Sequence, residues 1–436
     1  DLIIRGGAPN ENRFFIDDVE IPTINHFATQ GSSGGPAGII NVDFIREVDF
    51  YSGAFPAGRY NSLSSVFNFK FKEGRDDRIG STITLGAQDF GVSLDGPIND
   101  KSNFRFSARR SYLQLLFGVL GLPILPTYND FQFRYKYKID KKNEITILGI
   151  GAIDRFKLNL EADDTESKQF IINRVPINNQ WNYTNGLVYK HFGNNGFTTF
   201  VISRSMLDNR AFKYLNNDES SLANKILDYK SQEIENKLRV ENTTKTNQWT
   251  VNTGISYEFA KFNNNTFNKI FTPQGPLDID FTSFFTMHKY GAFGTANRNF
   301  ANDRLTLSLG LRMDGNSFSN DMSNPLEQLS PRMSIAYALT PKLSLNFNTG
   351  IYHQLPPYTS LGYNEGGVFV NRQNDITYIN NKQIVTGFEY NTNFSSKISV
   401  EGYYKDYANY PFLTRQQVSL ANLGSDFGVI GNEPSI

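Results

Sequence analysis

Apolar and polar residues alternate with a period of two over long stretches of the chain, the pattern of a strand with one apolar and one polar face. Phe131, Phe133, Tyr135, Tyr137 and Ile139 alternate with Gln132, Arg134, Lys136 and Lys138. Leu305, Leu307, Leu309 and Leu311 alternate with Thr306, Ser308, Gly310 and Arg312. The same holds for Val251, Thr253, Ile255, Tyr257 and Phe259 against Asn252, Gly254, Ser256 and Glu258, and for Leu343, Leu345, Phe347 and Ile351 against Ser344, Asn346, Asn348 and Gly350. Each run is about nine to eleven residues, longer than a typical soluble strand and long enough to cross a bilayer core at a tilt. In a soluble sandwich the polar face would meet bulk water, so alternation alone does not separate the two readings.

The connections do separate them. Short ones fall at Asn99–Ser102, Asp140–Asn143, Gly193–Gly196, Lys245–Asn247, Ala301–Asp303, Thr340–Lys342 and Asn393–Ser396, and long ones near 113–130, 157–180, 209–228, 261–284, 316–329 and 355–381. Tight turns at one end and long loops at the other are the asymmetry of outer-membrane barrels. A sandwich or propeller has no reason to gather its long loops at one end. Runs counted from Ile79 onward predict about fifteen strands, the last near Lys397–Tyr407. Because single-chain bacterial barrels close with an even number, the sequence reads as part of a longer barrel, with its N-terminus also missing. The most apolar stretch, Leu113–Leu125, is interrupted by Gly118, Gly121 and Pro123 and is predicted to be a loop.

Residues 1–75 read differently. They are rich in Gly and Pro, with short strands expected at Leu2–Arg5, Arg13–Ile16, Glu47–Tyr51 and Val66–Phe71 and a helical turn at Phe44–Val48. The predicted fold class is therefore all-β dominated: a transmembrane antiparallel β-barrel over 76–436, preceded by a compact mixed α/β domain over 1–75.

Composition narrows the chemistry. Basic and acidic residues balance at 43 each, which argues against a nucleic-acid partner, since neutralising phosphates needs a surplus of Lys and Arg. With no Cys, thiol catalysis and Cys-ligated zinc are excluded. His26, His191, His288 and His353 lie far apart in sequence, so no His metal site is expected and no cofactor is called for. Gly31-Ser32-Ser33-Gly34-Gly35 fits a nucleophile elbow only formally: Pro36 follows where a helix is needed, so it reads as a loop. Asp163, Asp164 and Glu166 read as a solvated charge run ahead of a calcium loop. An enzyme is not the expected class.

Ile4-Arg5-Gly6-Gly7 followed by Phe14-Phe15-Ile16-Asp17-Asp18-Val19, then Val48-Asp49-Phe50-Tyr51-Ser52-Gly53 running through Phe55-Pro56-Ala57-Gly58-Arg59-Tyr60, and then Ser64-Ser65-Val66-Phe67-Asn68-Phe69, resemble in order and spacing the plug of TonB-dependent outer-membrane receptors. Gly310-Leu311-Arg312-Met313-Asp314, Leu329-Ser330-Pro331-Arg332 and Glu401-Gly402-Tyr403-Tyr404-Lys405 resemble barrel strands of the same family, in the style of its Bacteroidota members. Asp18 departs from the family's usual Gly, which implies an altered turn. The resemblance implies a plug lying in the lumen of a 22-stranded barrel, with about seven strands to follow and a TonB box or extra domain to precede. It further implies a location in the outer membrane against lipid, an energy-coupling TonB-type partner, and in some members a surface lipoprotein. The implied role is import of a scarce bulky nutrient such as a siderophore, vitamin, oligosaccharide or peptide, with a structural or assembly subunit as the alternative. Candidate ligand contacts are Asn25, His26, Phe27 and Gln30 in the plug's outward loop and His353, Gln354 and Tyr358 at the outer end of a strand. Arg5, with Gly6 and Gly7 allowing close approach, either latches the plug to a wall carboxylate such as Glu389 or Glu401 or serves plug packing alone; Arg59 belongs to the same latch set.

Overall fold

The computed structural model describes the chain except for residues 1, 29, 31–33, 273–274, 393–395 and 424–432. The centre of the elbow-like motif and most of the last short turn lie outside the described residues. Four strands form a small N-terminal sheet: β1 (Asn12–Ile16), β2 (Val19–Ile21), β3 (Ile45–Tyr51) and β4 (Ser65–Phe71). Its order is β2-β1-β4-β3, with β1 and β4 parallel and the outer pairs antiparallel. The expected strand at Leu2–Arg5 is reduced to a bridge between Ile4 and Gly7, and the helical turn sits slightly earlier than expected, at Val42–Phe44.

Fifteen strands, the number expected, then follow in one antiparallel sheet: β5 (Gly80–Leu85), β6 (Asp89–Asn99), β7 (Ser102–Ser111), β8 (Ile124–Lys138), β9 (Asn143–Leu158), β10 (Ile177–Phe192), β11 (Gly196–Tyr214), β12 (Lys225–Thr246), β13 (Trp249–Thr272), β14 (Gly275–Phe300), β15 (Leu305–Asn316), β16 (Ser330–Ala338), β17 (Leu343–Gln354), β18 (Ile379–Asn391) and β19 (Lys397–Ala408). Each pairs with its predecessor in sequence, and β5 and β19 stand at the two edges. The N-terminal sheet lies within the curve of this wall, because its residues bond to side chains from β7 round to β19: Asn41 to Ser107, Asp17 to Arg134, Glu20 to Lys237, Ala57 to Arg312 and Ser64 to Lys405.

Three expectations need correcting. Strand lengths reach 26 residues in β14, well past the nine to eleven expected, so the supposed loop at 261–284 is mostly hairpin and that at 209–228 shrinks to 215–224. The ladder simply continues through consecutive polar residues, as where Asn263, Asn264 and Asn265 pair with Phe284, Ser283 and Thr282. Leu113–Val119 forms helix α1 rather than loop. Gly121, at φ 60°, and Pro123 act as its stop signals instead of preventing it. Finally, the inner face is not polar throughout. Leu148, Ile150, Ala152, Val188 and Val201 point inward and are buried with Phe14, Ile16, Val19 and Ile21 of the small sheet. Burial of each large aliphatic there contributes roughly 1.5–3 kcal/mol. Elsewhere alternation sorts the faces as the pattern predicts: Leu309 and Leu345 are 44% exposed on the outside, while Arg134, Glu258 and Arg312 are buried within. Among the described residues no helix is long and apolar enough to cross a membrane.

Candidate functional site at the junction of the N-terminal sheet and the wall

The hairpin turn Ile16–Val19 is the deepest junction. Asp17 and Asp18 both have positive φ (44° and 75°), the geometry of a tight I′ turn, so the turn keeps its left-handed form although Asp18 stands where Gly is usual. Asp tolerates this region better than most residues, and here its carboxylate is clamped by Arg59 at 2.9 Å and Lys190 at 3.0 Å, with Arg239 at 3.8 Å. Burial alone would raise the Asp18 pKa, but Lys190, Arg59 and Arg239 hold it well below the usual carboxylate range. Arg59, expected in a latch to the wall, instead pairs within the N-terminal segment and stacks on Phe15 at 4.6 Å.

From that turn the chain climbs toward the long-loop end. His26 is fully buried: its Nδ1 meets Asp154 at 2.7 Å and its Nε2 meets Asp130 at 3.1 Å, with the ring stacked on Tyr128. Burial works against protonation, but the bonds to Asp130 and Asp154 outweigh it and raise the imidazole pKa above 6.5. Phe27 donates its N–H to Asp154, and Ala28 exchanges two bonds with the Gln180 side chain. Gln30 is buried between Ser231, Glu233 and Tyr229. His26 and Gln30 therefore dock the loop to the wall rather than face solvent. Asn25 pairs in a short bridge with Gly38.

On the opposite side β17 turns Tyr352 and Gln354 inward. Gln354 donates to the Asn10 carbonyl at 2.9 Å, while His353 is held within the wall by Ser330 at 3.0 Å and Asn380 at 2.8 Å. Tyr358, in helix α2 (Tyr358–Leu361), donates to Glu235 at 2.6 Å and accepts from Lys289. Gln354 and Tyr358 thereby meet the 20–28 segment across a cavity of about 100 Å³ that opens toward the long-loop end. Its floor is a network: Lys237 joins Glu20 and Glu235, each at 2.8 Å, Lys289 joins Glu235 and Glu258, and Tyr60 donates to Glu258 at 3.0 Å. Of the candidate ligand contacts, the structure brings Gln354 and Tyr358 together with the loop, and leaves His353 outside.

Residues 30–432 match the family model described as "TonB dependent receptor-like, beta-barrel". The chain belongs to this TonB-dependent receptor family. No curated protein matches it in sequence. In structure the receptor chain resembles a mutant of the ferric enterobactin receptor of Pseudomonas aeruginosa (TM-score 0.67, 13% identity, 93% of this chain and 65% of that one). It is likewise similar to the siderophore receptor PirA of Acinetobacter baumannii (0.66, 14%, 93% and 64%) and to the copper transporter OprC (0.67, 16%, 94% and 66%). It thus spans about 65% of the length of the first of these structures, and at such identities the likeness concerns the fold. Family membership places this receptor in the outer membrane.

The receptor's Arg5 contacts both the wall and its own segment. Arg5 pairs with Glu401 at 2.6 Å and also reaches the Ser52 carbonyl. Glu389 takes no part, because Lys397 holds it at 2.5 Å near the short-turn end. Gly6 has φ 71°, and a Cβ at Gly7 would collide with Ser64 and Glu11, so the close approach lies at Gly7, while a Cβ at Gly6 would meet only ordinary contact. Glu11 was not expected from the sequence: buried, it accepts from Ser64, from Tyr407 at 2.8 Å and from Tyr410 at 3.0 Å. The floor charges were missed as well, although their signal was present. In β12, Glu233, Glu235, Lys237, Arg239 and Glu241 occupy every second position, with Ile234, Leu238 and Val240 between them. A charge at every inward position is what a wall facing polar partners requires.

Proposed function

We propose that residues 1–75 act as the plug and 76–436 as barrel wall of a receptor that binds a scarce bulky nutrient from outside and imports it by plug displacement. Siderophores, vitamins, oligosaccharides and peptides are the candidate classes. The observation that carries the reading is the outward cavity, whose floor joins the N-terminal segment to the wall through Glu20, Lys237 and Glu235. A ligand seated there would touch both bodies and bias how tightly they hold each other. Glu11, Asp17, Asp18 and His26 fasten the segment by hydrogen bonds and ion pairs that can be exchanged for water, while the apolar contact of Phe14, Ile16, Val19 and Ile21 with the wall is the part whose release needs work. The outer membrane has no nucleotide supply, so the work comes through a TonB-type partner; outer-membrane lipid surrounds the wall, and a surface lipoprotein of the kind that accompanies Bacteroidota receptors would cover the outer opening.

Deleting residues 1–72 tests the plug assignment. The expected outcome is a large rise in single-channel conductance over the parent; a folded deletion variant that conducts no more than the parent would show that the segment is not the gate. Energy-dependent uptake separates import from the alternative, a structural subunit of an outer-membrane assembly, which would show none.

A further inference from the structure

We infer that the outward cavity receives a cationic nitrogen of the transported molecule, a primary ammonium or guanidinium, between Glu233, Glu20 and the side-chain oxygen of Gln354. This rests on reading the cavity as the ligand site of an importer. Two independent observations converge on it.

The first is an acceptor without a partner. Gln354 is 2% exposed and lines the cavity. Its Nε2 donates to the Asn10 carbonyl at 2.9 Å, which fixes the amide orientation, because a flipped amide would set oxygen against oxygen. Oε1 is then left buried with no hydrogen bond. An unsatisfied buried acceptor is costly, and a donor supplied by a ligand removes that cost.

The second is charge. Glu20, Glu235 and Glu258 share the cations Arg13, Lys237 and Lys289 in one connected network, and Glu233 lines the cavity beside them without joining it. Arg13 is turned to Glu20 at 3.8 Å, and both lysines are held on their carboxylates behind the cavity surface. Among the described residues Glu233 takes a hydrogen bond from the neutral amide of Gln30, at 2.6 Å, and has no cation in an ion pair with it. A cation from outside would supply the partner of opposite charge that this carboxyl lacks. Pro356, Pro357 and Leu355 close the rim, so the carbon chain next to the nitrogen meets an apolar collar while its head meets acceptors. The volume of about 100 Å³ suits such a head group and not a whole bulky ligand.

The test uses the intact receptor in detergent, titrated calorimetrically with trialanine amide, whose only charge is its terminal ammonium, and with the N-acetylated form. The free amine should bind about tenfold tighter or more, the worth of one charge-assisted hydrogen bond. Glu233→Gln and Gln354→Leu should each reduce that preference to less than about threefold while the heat-modifiable band on gels is retained. Gln354→Glu should increase it, which keeps the inference testable if either of the first variants fails to fold. Equal affinity for the two probes, binding of neither, or a preference that survives both substitutions would overturn it. Energy-dependent uptake of a ligand with no cationic nitrogen would overturn this inference and leave import standing, whereas ammonium-selective binding with no uptake would do the reverse.

Discussion

The plug meets the wall along two unlike seams. Against β9–β11 the centre of the contact is an apolar patch, with Leu148, Ile150, Ala152, Val188 and Val201 packed on Ile16, Val19 and Ile21, and the polar contacts of Asp154, Gln180 and Lys190 lie at its margins. Against β12–β17 it is charged and hydrogen-bonded, through Lys237, Glu258, Arg312 and Arg332. An apolar seam is non-directional and releases only when area is exposed to water. The polar seam depends on partner geometry, so a change at one group unsettles its neighbours. One side thus serves as footing and the other as the responsive face, and the outward cavity opens on the responsive face.

Substitutions can break this contrast. Lys237→Met should have the largest effect, about 3–5 kcal/mol in denaturant unfolding, because Glu20 and Glu235 lose their shared cation while remaining buried. Adding Glu20→Gln should recover part of the loss, and a double variant as unstable as the single one would argue that the network is not coupled. His26→Leu should cost about 3 kcal/mol near pH 6 for the same reason. Its folded pKa is raised above 6.5, so the parent's advantage is fully present below that value and fades as pH climbs through the raised one. A parent-minus-variant difference in thermal stability that grows with pH would contradict the assignment.

On the apolar seam Ile150→Ala should cost about 2–4 kcal/mol, with little dependence on salt or pH. Marked salt dependence would mean the two seams are not distinct in kind. Leu309→Arg, on the outer face near mid-strand, should cost about 2–4 kcal/mol and the neighbouring inward Ser308→Arg less; equal heat-modifiability of the two would reverse the inside–outside assignment. The smallest effect is expected for Arg5→Ala. Glu401 is half exposed in that pair, so the loss should be at most about 1 kcal/mol, read as faster proteolysis of the first residues rather than as global unfolding.

Much of this was legible in the sequence, and the gaps have physical causes. Alternation gave fifteen strands and the correct parity for Arg134, Glu258 and Leu309, because parity depends only on the two-residue pleat. It could not give strand ends, since a hairpin standing in water alternates as happily as one in lipid; Asn263 to Thr266 look like loop and are strand. Glu401 could be named as a partner for Arg5 from charge alone, but nothing in sequence favoured it over Glu389, which a neighbouring Lys397 had already taken. Arg59 was misassigned because its true partner, Asp18, becomes available only when the turn adopts its left-handed form. The apolar inner patch was missed because an inward Leu148 looks like any other aliphatic until the plug is set against it.

The long hairpin of β13 and β14 bears on access. Crossing the bilayer core takes about ten residues of a tilted strand, yet these two run to 24 and 26 residues. The excess, roughly fourteen residues at about 3.3 Å each, raises one side of the wall by some tens of ångströms. The two strands stay paired from Trp249 with Arg298 up to Thr272 with Gly275, so the hairpin stands as a braced fence instead of a drifting loop. A solute nearing the cavity from that side therefore meets a fixed strand edge before it meets any side chain in the cavity.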